Sequence, residues 1–189
     1  MKLICRITLL AALLTALCAV PAHANQQPVA LPVPQVLTAE VNEARLAGQA
    51  RLSVLGFQIY DARLWVAPGF KSKTFSEHAF GLELAYLRNV SGEDIATRSL
   101  DEMRRFATLS PEQEKEWLRQ MREIFPSVQK GDRLIGTNRP GIGTSFHFNG
   151  KLQGEIRDPE FARLFFGIWL FETTAKPWIR KDLLAKLAP

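Results

Sequence analysis

The stretch of sequence that decides the fold reads GDRLIGTNRPGIGTSFHFNGKLQGEIRDPEFARLFFGIWL and spans residues 131–170. Its alternating and β-branched segments predict three strands, at residues 133–137, 144–148 and 151–156. Asn149-Gly150 is a strong signal for a two-residue hairpin between the last two. Asp158-Pro159 then starts a helix whose apolar residues point in nearly every direction, so we expect it to be buried on most sides.

The residues before this stretch predict further strands and two capped helices. The chain is strand-like from Arg51 to Val66, with a bend or bulge at Gly56, and again from Phe80 to Leu87. Ser91 and Ser110 each have the spacing of a helix N-cap. With a last helix at about residues 178–187, this order predicts an α+β fold with an antiparallel sheet.

Four motifs follow one another along the chain: a strand GFQIYDARLW (56–65), a GD-L strand (131–134), a PG-GT turn (140–144) and a GIWL helix (167–170). In this order they resemble the motifs of the chalcone isomerase-like family, in particular its bacterial secreted branch. The resemblance implies a large curved antiparallel sheet with helices packed on one face.

The N-terminus has the pattern of a secretory signal peptide. Lys2 and Arg6 precede an apolar run from Ile7 to Val20, and the triplet Ala22-His23-Ala24 follows. We therefore expect cleavage after Ala24, an extended lead-in over residues 25–40, and a domain over residues 41–189 that is soluble in the periplasm. The run is short for a membrane anchor. A lipoprotein would carry its lipid on Cys18, but Leu17 precedes that cysteine where a small residue is needed.

Removal of the leader changes the chemistry that the chain can perform. Both cysteines, Cys5 and Cys18, lie in it, so the mature chain has no disulfide and no thiol nucleophile. The remaining charge is +3, from 22 basic minus 19 acidic residues, which does not favour nucleic acid as a partner. His78 and His147 have no neighbouring ligand residues, so neither a metal nor another cofactor is expected.

Asp61 and Arg63 lie two residues apart on one face of the predicted strand. The carboxylate could orient Arg63 toward an anionic ligand. The alternative is a structural ion pair on the sheet, covered by Trp65. Tyr60 lies on the opposite face, together with Ala62 and Leu64.

The resemblance to the family adds Arg51 and Tyr60 to Arg63 as candidate ligand-binding residues. Plant chalcone isomerases use an Arg in the first long hairpin, a Thr on the next strand, and a Tyr and an Asn on the following helix. Arg51 falls near the Arg and Tyr60 matches the Thr, but the helix from Ser91 to Phe106 contains neither Tyr nor Asn. Isomerisation depends on those polar groups to stabilise developing charge, so no catalytic residue is assigned.

Non-catalytic relatives of this fold bind fatty acids, with the Arg and a Tyr holding the carboxylate. The resemblance therefore implies an exported protein that binds a small apolar or amphipathic anion, in a pocket between the sheet and the helix at residues 161–171, without stable insertion into a membrane. That helix could instead be plain core. Two other function classes remain open: an isomerase or lyase with a rearranged site, and an interaction module with a large exposed apolar patch.

Overall fold

A computed structural model describes residues 31–187. Six strands of this part of the chain form one antiparallel sheet. The sheet has the order β1-β2-β3-β4-β5-β6, so each strand pairs with its neighbour in sequence. The strands are β1 (Arg45–Val54), β2 (Phe57–Val66), β3 (Phe80–Tyr86), β4 (Arg133–Arg139), β5 (Gly143–Phe148) and β6 (Lys151–Ile156). The predicted leader and residues 25–30 of the lead-in lie outside the described residues.

Within residues 31–187, five α-helices accompany the sheet: α1 (Gln35–Glu40), α2 (Gly92–Met103), α3 (Pro111–Ile124), α4 (Pro159–Leu170) and α5 (Pro177–Leu183). The predicted N-caps are confirmed. Ser91 accepts a hydrogen bond from the backbone of Asp94, and Ser110 forms a capping box with Gln113. The last helix ends at Leu183, four residues earlier than predicted. No helix within residues 31–187 is both long enough and apolar enough to cross a membrane.

Helices α2 to α5 pack on one face of the sheet, here called the inner face. It carries the side chains of Tyr60, Ala62, Leu64 and Val66 from β2, and its apolar residues form one core with those helices. Helix α4 has nine buried residues, as its apolar composition predicts, and seven of them belong to this core. An open antiparallel sheet with helices packed on one face is therefore confirmed.

The strand predicted to begin at Arg51 is the second half of a long hairpin. Strand β1 begins six residues earlier, and its residues pair with β2 up to Arg45 opposite Val66. The bend expected at Gly56 is the turn Leu55-Gly56, in which both residues have positive φ angles of 50° and 82°. Asn149-Gly150 makes the second such turn, with φ angles of 47° and 83°, as predicted.

The other face of the sheet, here called the outer face, is covered by α1, which corrects the extended lead-in predicted for residues 35–40. Leu37 is fully buried there with Val41, Trp65 and Ile135. A Cβ atom at Gly81 of β3 would lie 2.4 Å from a methyl carbon of Leu37, so this glycine leaves the space that α1 occupies. The helix forms because the outward-facing Trp65 and Ile135 need an apolar cover.

Candidate functional site

The inner face holds a cluster of three polar aromatic groups: Tyr60 of β2, Tyr86 of β3 and Trp169 of α4. The two tyrosines lie directly opposite each other in the strand pairing, and their ring centroids are 5.9 Å apart in an edge-to-face arrangement. The indole Nε1 of Trp169 donates a hydrogen bond to the Tyr60 hydroxyl oxygen over 3.0 Å. All three side chains are buried.

Burial keeps both phenols neutral. It raises the pKa of Tyr60 far above the ordinary value of 10.0, although the hydrogen bond from Trp169 lowers it and the negative charge of Glu102 raises it further. Burial also raises the pKa of Tyr86, and the neighbouring Tyr60 adds to this effect. Lys176 forms an ion pair of 2.8 Å with Glu102, which places a cation at the partly exposed rim of this region.

Aromatic side chains fill the space between the sheet and α4, where the sequence predicted a ligand pocket. Their ring centroids are 5.6 Å apart for Phe165 and Trp169, 5.3 Å for Phe146 and Phe165, and 4.7 Å for Phe80 and Phe166. Such spacings are typical of close aromatic packing. In this structure α4 is therefore core, which is the alternative that the sequence left open.

Two of the open clefts on the surface of residues 31–187 are lined by other residues. One, of about 430 Å³, lies at the start of α4 beside Arg139, Asp158 and Arg163. The second, of about 260 Å³, lies at the end of α4 beside Phe75 and Arg180. Neither cleft includes Arg51, Tyr60 or Arg63.

Arg51 lies on the outer face, in an ion pair with Asp61. The two residues are cross-strand partners, and Arg51 Nε is 2.6 Å from Asp61 Oδ1. This hydrogen bond raises the pKa of Arg51, and the charge of Asp61 adds to it. About half of the Arg51 side chain is exposed, so the pair belongs to the protein surface.

Arg63 lies beside Arg51 on the same face but pairs with Glu83 of β3. Glu83 is only 1% exposed, and its carboxylate accepts hydrogen bonds from Arg63 over 3.3 Å, from the indole of Trp65 over 3.1 Å, and from Arg133. A carboxylate at this depth is stable only because three donors surround it. The result is an ion-pair network on the outer face, covered in part by Trp65.

The structure corrects two predicted pairings of side chains, Asp61 with Arg63 and Arg51 with Tyr60. Asp61 orients Arg51 and not Arg63, because strand register brings Asp61 opposite Arg51 and Glu83 opposite Arg63. The structure also does not bring Arg51 and Tyr60 together. Tyr60 and Asp61 are successive residues of β2, so their side chains point to opposite faces, and Arg51 is on the face of Asp61.

Sequence reasoning missed the roles of Glu83 and Trp169. The alternation along β3 places the Glu83 side chain on the other face from those of Leu82 and Leu84, but only the strand register reveals its partners. Trp169 lies 109 residues from the tyrosine that it contacts. The available signal was a single charged residue in an otherwise apolar strand, which indicates a buried acid that requires partners.

His147 has an acidic neighbour but no metal-binding set around it. Its Nε2 lies 3.6 Å from Glu40 at the end of α1, and Glu40 also accepts a hydrogen bond of 2.6 Å from Ser145. Within the part of the chain that the structure describes, no group of three or more His, Cys, Asp or Glu residues could hold a metal ion.

Comparison with known proteins decides the family. A family model described as chalcone isomerase-like matches residues 28–185. The chain belongs to the chalcone isomerase-like family. A comparison with curated protein sequences gave no match.

Among solved structures, the chain is similar to the crystal structure of the Arabidopsis thaliana fatty-acid binding protein AtFAP1, with 14% sequence identity and a TM-score of 0.61. The match covers 84% of this chain and 90% of the plant protein, and it shows the shared fold.

As a chalcone isomerase-like chain, the protein carries the polar groups of its inner face on strands and on α4. Helix α2, the first long helix after the hairpin, contains neither Tyr nor Asn. Tyr60 and Tyr86 come from β2 and β3, and Trp169 comes from the GIWL motif that the family resemblance singled out. The geometry of this site therefore offers neutral hydrogen-bond donors in an apolar surrounding, with the ion pair of Lys176 and Glu102 at its rim.

Proposed function

We propose that this chain is an exported, non-catalytic protein of the family's bacterial secreted branch, and that it binds a small apolar anion such as a fatty acid. The signal-peptide pattern of residues 1–24 supports export to the periplasm. The absence of Tyr and Asn from α2 supports a role without isomerase chemistry. The fold shared with a plant fatty-acid binding protein supports the ligand class.

The observation that carries the proposal is the buried hydrogen-bond chemistry at Tyr60. The hydroxyl oxygen of this neutral phenol accepts the indole proton of Trp169, and the phenol still has its own proton to donate. A carboxylate is the strongest acceptor that such a donor can meet. In an apolar interior, the resulting charge-assisted hydrogen bond is not weakened by competing water.

The rest of the ligand would lie between the sheet and α4. An acyl chain is as apolar as the aromatic side chains that fill this space, so it could replace their contacts without exposing a polar group. Phe165 would have to move to admit it while Trp169 keeps its hydrogen bond to Tyr60, and Lys176, now paired with Glu102, would be the cation nearest the carboxylate.

A second version of the same proposal puts the carboxylate on the outer face, at Arg63 or Arg51. Arg63 is favoured over Arg51 by one observation. Its buried Nε has no hydrogen-bond partner within residues 31–187, whereas the Nε of Arg51 is bonded to Asp61. An unpaired guanidinium nitrogen of this kind has a hydrogen bond to donate to an anion that reaches it.

Titration with a fluorescent fatty acid tests both versions with matched variants. Tyr60→Phe removes one hydroxyl and keeps the ring, and it should weaken binding about tenfold to a hundredfold, the value of a hydrogen bond to a charged group. Arg51→Ala and Arg63→Ala should leave the affinity unchanged. Loss of binding only in Arg63→Ala would move the site to the outer face, and no saturable binding by the wild type would refute the ligand class.

The non-catalytic part of the proposal has its own assay. The purified protein should cyclise a chalcone no faster than buffer does, because α2 lacks the donors on which the isomerisation depends. Stereoselective flavanone formation that depends on the protein would support an isomerase with a rearranged site instead.

A further inference from the structure

Two hairpin turns of this chain have the same backbone geometry but different residues at the first position. The φ angles are 50° and 82° at Leu55-Gly56, and 47° and 83° at Asn149-Gly150. A non-glycine residue with positive φ is strained, and Asn tolerates this conformation better than other side chains do. Asn149 therefore suits its turn, whereas the fold gives no reason for a leucine at position 55.

The leucine also gains nothing from packing. Leu55 is 93% exposed, and its neighbours Val54 and Phe57 are 40% and 61% exposed. The hairpin projects past its neighbour in the sheet, because β3 ends at Tyr86 opposite Tyr60. Three large apolar side chains are thus held in water at the end of a two-stranded ribbon, which indicates a contact with another molecule.

One basic side chain contacts this apolar tip, and a second follows at the near end of the adjacent strand. The guanidinium of Arg88 lies 5.0 Å from the centre of the Phe57 ring. Lys130 lies at the adjacent end of β3, since the backbone N–H of the next residue, Gly131, bonds to Tyr86. Both side chains are exposed, and no carboxylate within residues 31–187 forms an ion pair with either of them.

We propose that this hairpin tip, formed by Val54, Leu55 and Phe57 with Arg88 and Lys130 beside it, inserts reversibly into the interface of an anionic lipid bilayer. An apolar tip gains free energy by leaving water for the boundary between headgroups and acyl chains. Cations beside it are attracted to anionic headgroups. This combination of apolar and positive groups fits a lipid surface better than an acidic or purely apolar protein partner. The inference does not depend on the fatty-acid proposal.

Vesicle co-sedimentation with the exported protein, from which the predicted leader has been removed, tests the inference. The wild type should bind vesicles that contain phosphatidylglycerol, and it should bind phosphatidylcholine vesicles less. The test variant is Leu55→Asn, which gives this turn the residue of the Asn149 turn. It should reduce the partition coefficient about tenfold or more, the effect of removing one buried leucine side chain. Its melting temperature should equal or exceed that of the wild type, which excludes unfolding as the cause.

Two further variants separate the tip from general surface effects. Ile142→Asn changes an exposed apolar residue in the β4–β5 turn, at the opposite end of the sheet, and should leave vesicle binding unchanged. Replacing both Arg88 and Lys130 by Gln should weaken binding to anionic vesicles and reduce its dependence on salt.

Specific outcomes would overturn the inference. These are no vesicle binding by the wild type, equal binding by Leu55→Asn and the wild type, or an equal loss in Ile142→Asn. A wild-type dimer that Leu55→Asn converts to a monomer would show that the tip packs against a second copy of the chain instead. The fatty-acid titration of Leu55→Asn should match the wild type, so failure of one proposal leaves the other intact.

Discussion

The inner face of the sheet is stabilised by apolar packing, whereas the outer face is stabilised largely by ion pairs. The inner face is apolar, and its few polar groups, such as the hydroxyl of Tyr60, lie among aromatic rings. The outer face carries charged side chains that neutralise one another, with Glu83 at the centre and α1 as a partial cover. The neutral phenol of Tyr60 thus lies among aromatic rings on the inner face, whereas most cations on the outer face already have acidic partners.

This difference decides on which face an anionic ligand would gain more binding free energy. On the outer face a carboxylate would compete with Glu83 or Asp61 for the same arginines. On the inner face it would meet the neutral phenol of Tyr60, which has a proton to donate and is not paired with a carboxylate. The strand alternation that separates Arg51 from Tyr60 therefore separates two possible sites, and variants of each face distinguish them.

The largest expected effect is on the inner face. Trp169→Ala removes a buried aromatic side chain and its hydrogen bond to Tyr60, so it should lower the free energy of unfolding by about 3–5 kcal/mol. Urea unfolding of the variant measures this value. Trp178→Ala is the matched control, because Trp178 is 53% exposed, and an equal change in both variants would show that α4 is not core.

The next effect concerns the centre of the outer face. Glu83→Ala leaves Arg63 and the Trp65 indole without their acceptor and should cost about 2–3 kcal/mol of unfolding free energy. The value stays below that of a fully buried ion pair because Arg63 reaches solvent. Glu155→Ala, which breaks the more exposed pair with Arg139, serves as the control and should cost less. Equal stability of Glu83→Ala and the wild type would refute the network.

Alkaline pH should weaken the inner face in particular. The chain has two tyrosines, Tyr60 and Tyr86, and burial raises the pKa of both. Above pH 10 the unfolded chain loses these protons while the folded chain keeps them, so stability falls as the pH rises, by about 1.4 kcal/mol per pH unit for each tyrosine. Tyrosinate absorbance should therefore appear together with unfolding. Tyr60→Phe should halve the slope of unfolding free energy against pH. Tyrosinate formation near pH 10 in a folded chain would contradict the burial.

The smallest effect is expected at the edge of the outer face. Arg51→Ala removes an exposed ion pair that water and salt screen, so the melting temperature should change no more than in Arg157→Ala. A large drop in the melting temperature of Arg51→Ala alone would show that the pair with Asp61 holds the hairpin together.

Local signals in the sequence predicted most of the fold. Ser91, Ser110 and Asp158 cap their helices as their spacing indicates, and Asn149-Gly150 forms its hairpin. The helix α1 was missed because it has six residues and no side-chain cap, and its apolar contacts are with distant strands. A short helix of this kind is stabilised by tertiary packing and leaves little local pattern.

The site was harder to predict because its contacts are long-range. The separation of Arg51 from Tyr60 depends on the register between β1 and β2, which includes a shift between Leu52 and Ser53. A change of one residue in register exchanges the two faces of a strand. The sequence predicted the residue types and the strand of Tyr60, and it did not predict which side chains would meet.

Binding of an acyl carboxylate at Tyr60 on the inner face is tested most directly by native mass spectrometry of the exported protein, compared among the wild type, Tyr60→Phe and Arg51→Ala. We expect a co-purified fatty acid on the wild type and on Arg51→Ala, and little or none on Tyr60→Phe. A wild type without bound lipid, or a ligand that Arg51→Ala loses and Tyr60→Phe retains, would refute binding at Tyr60.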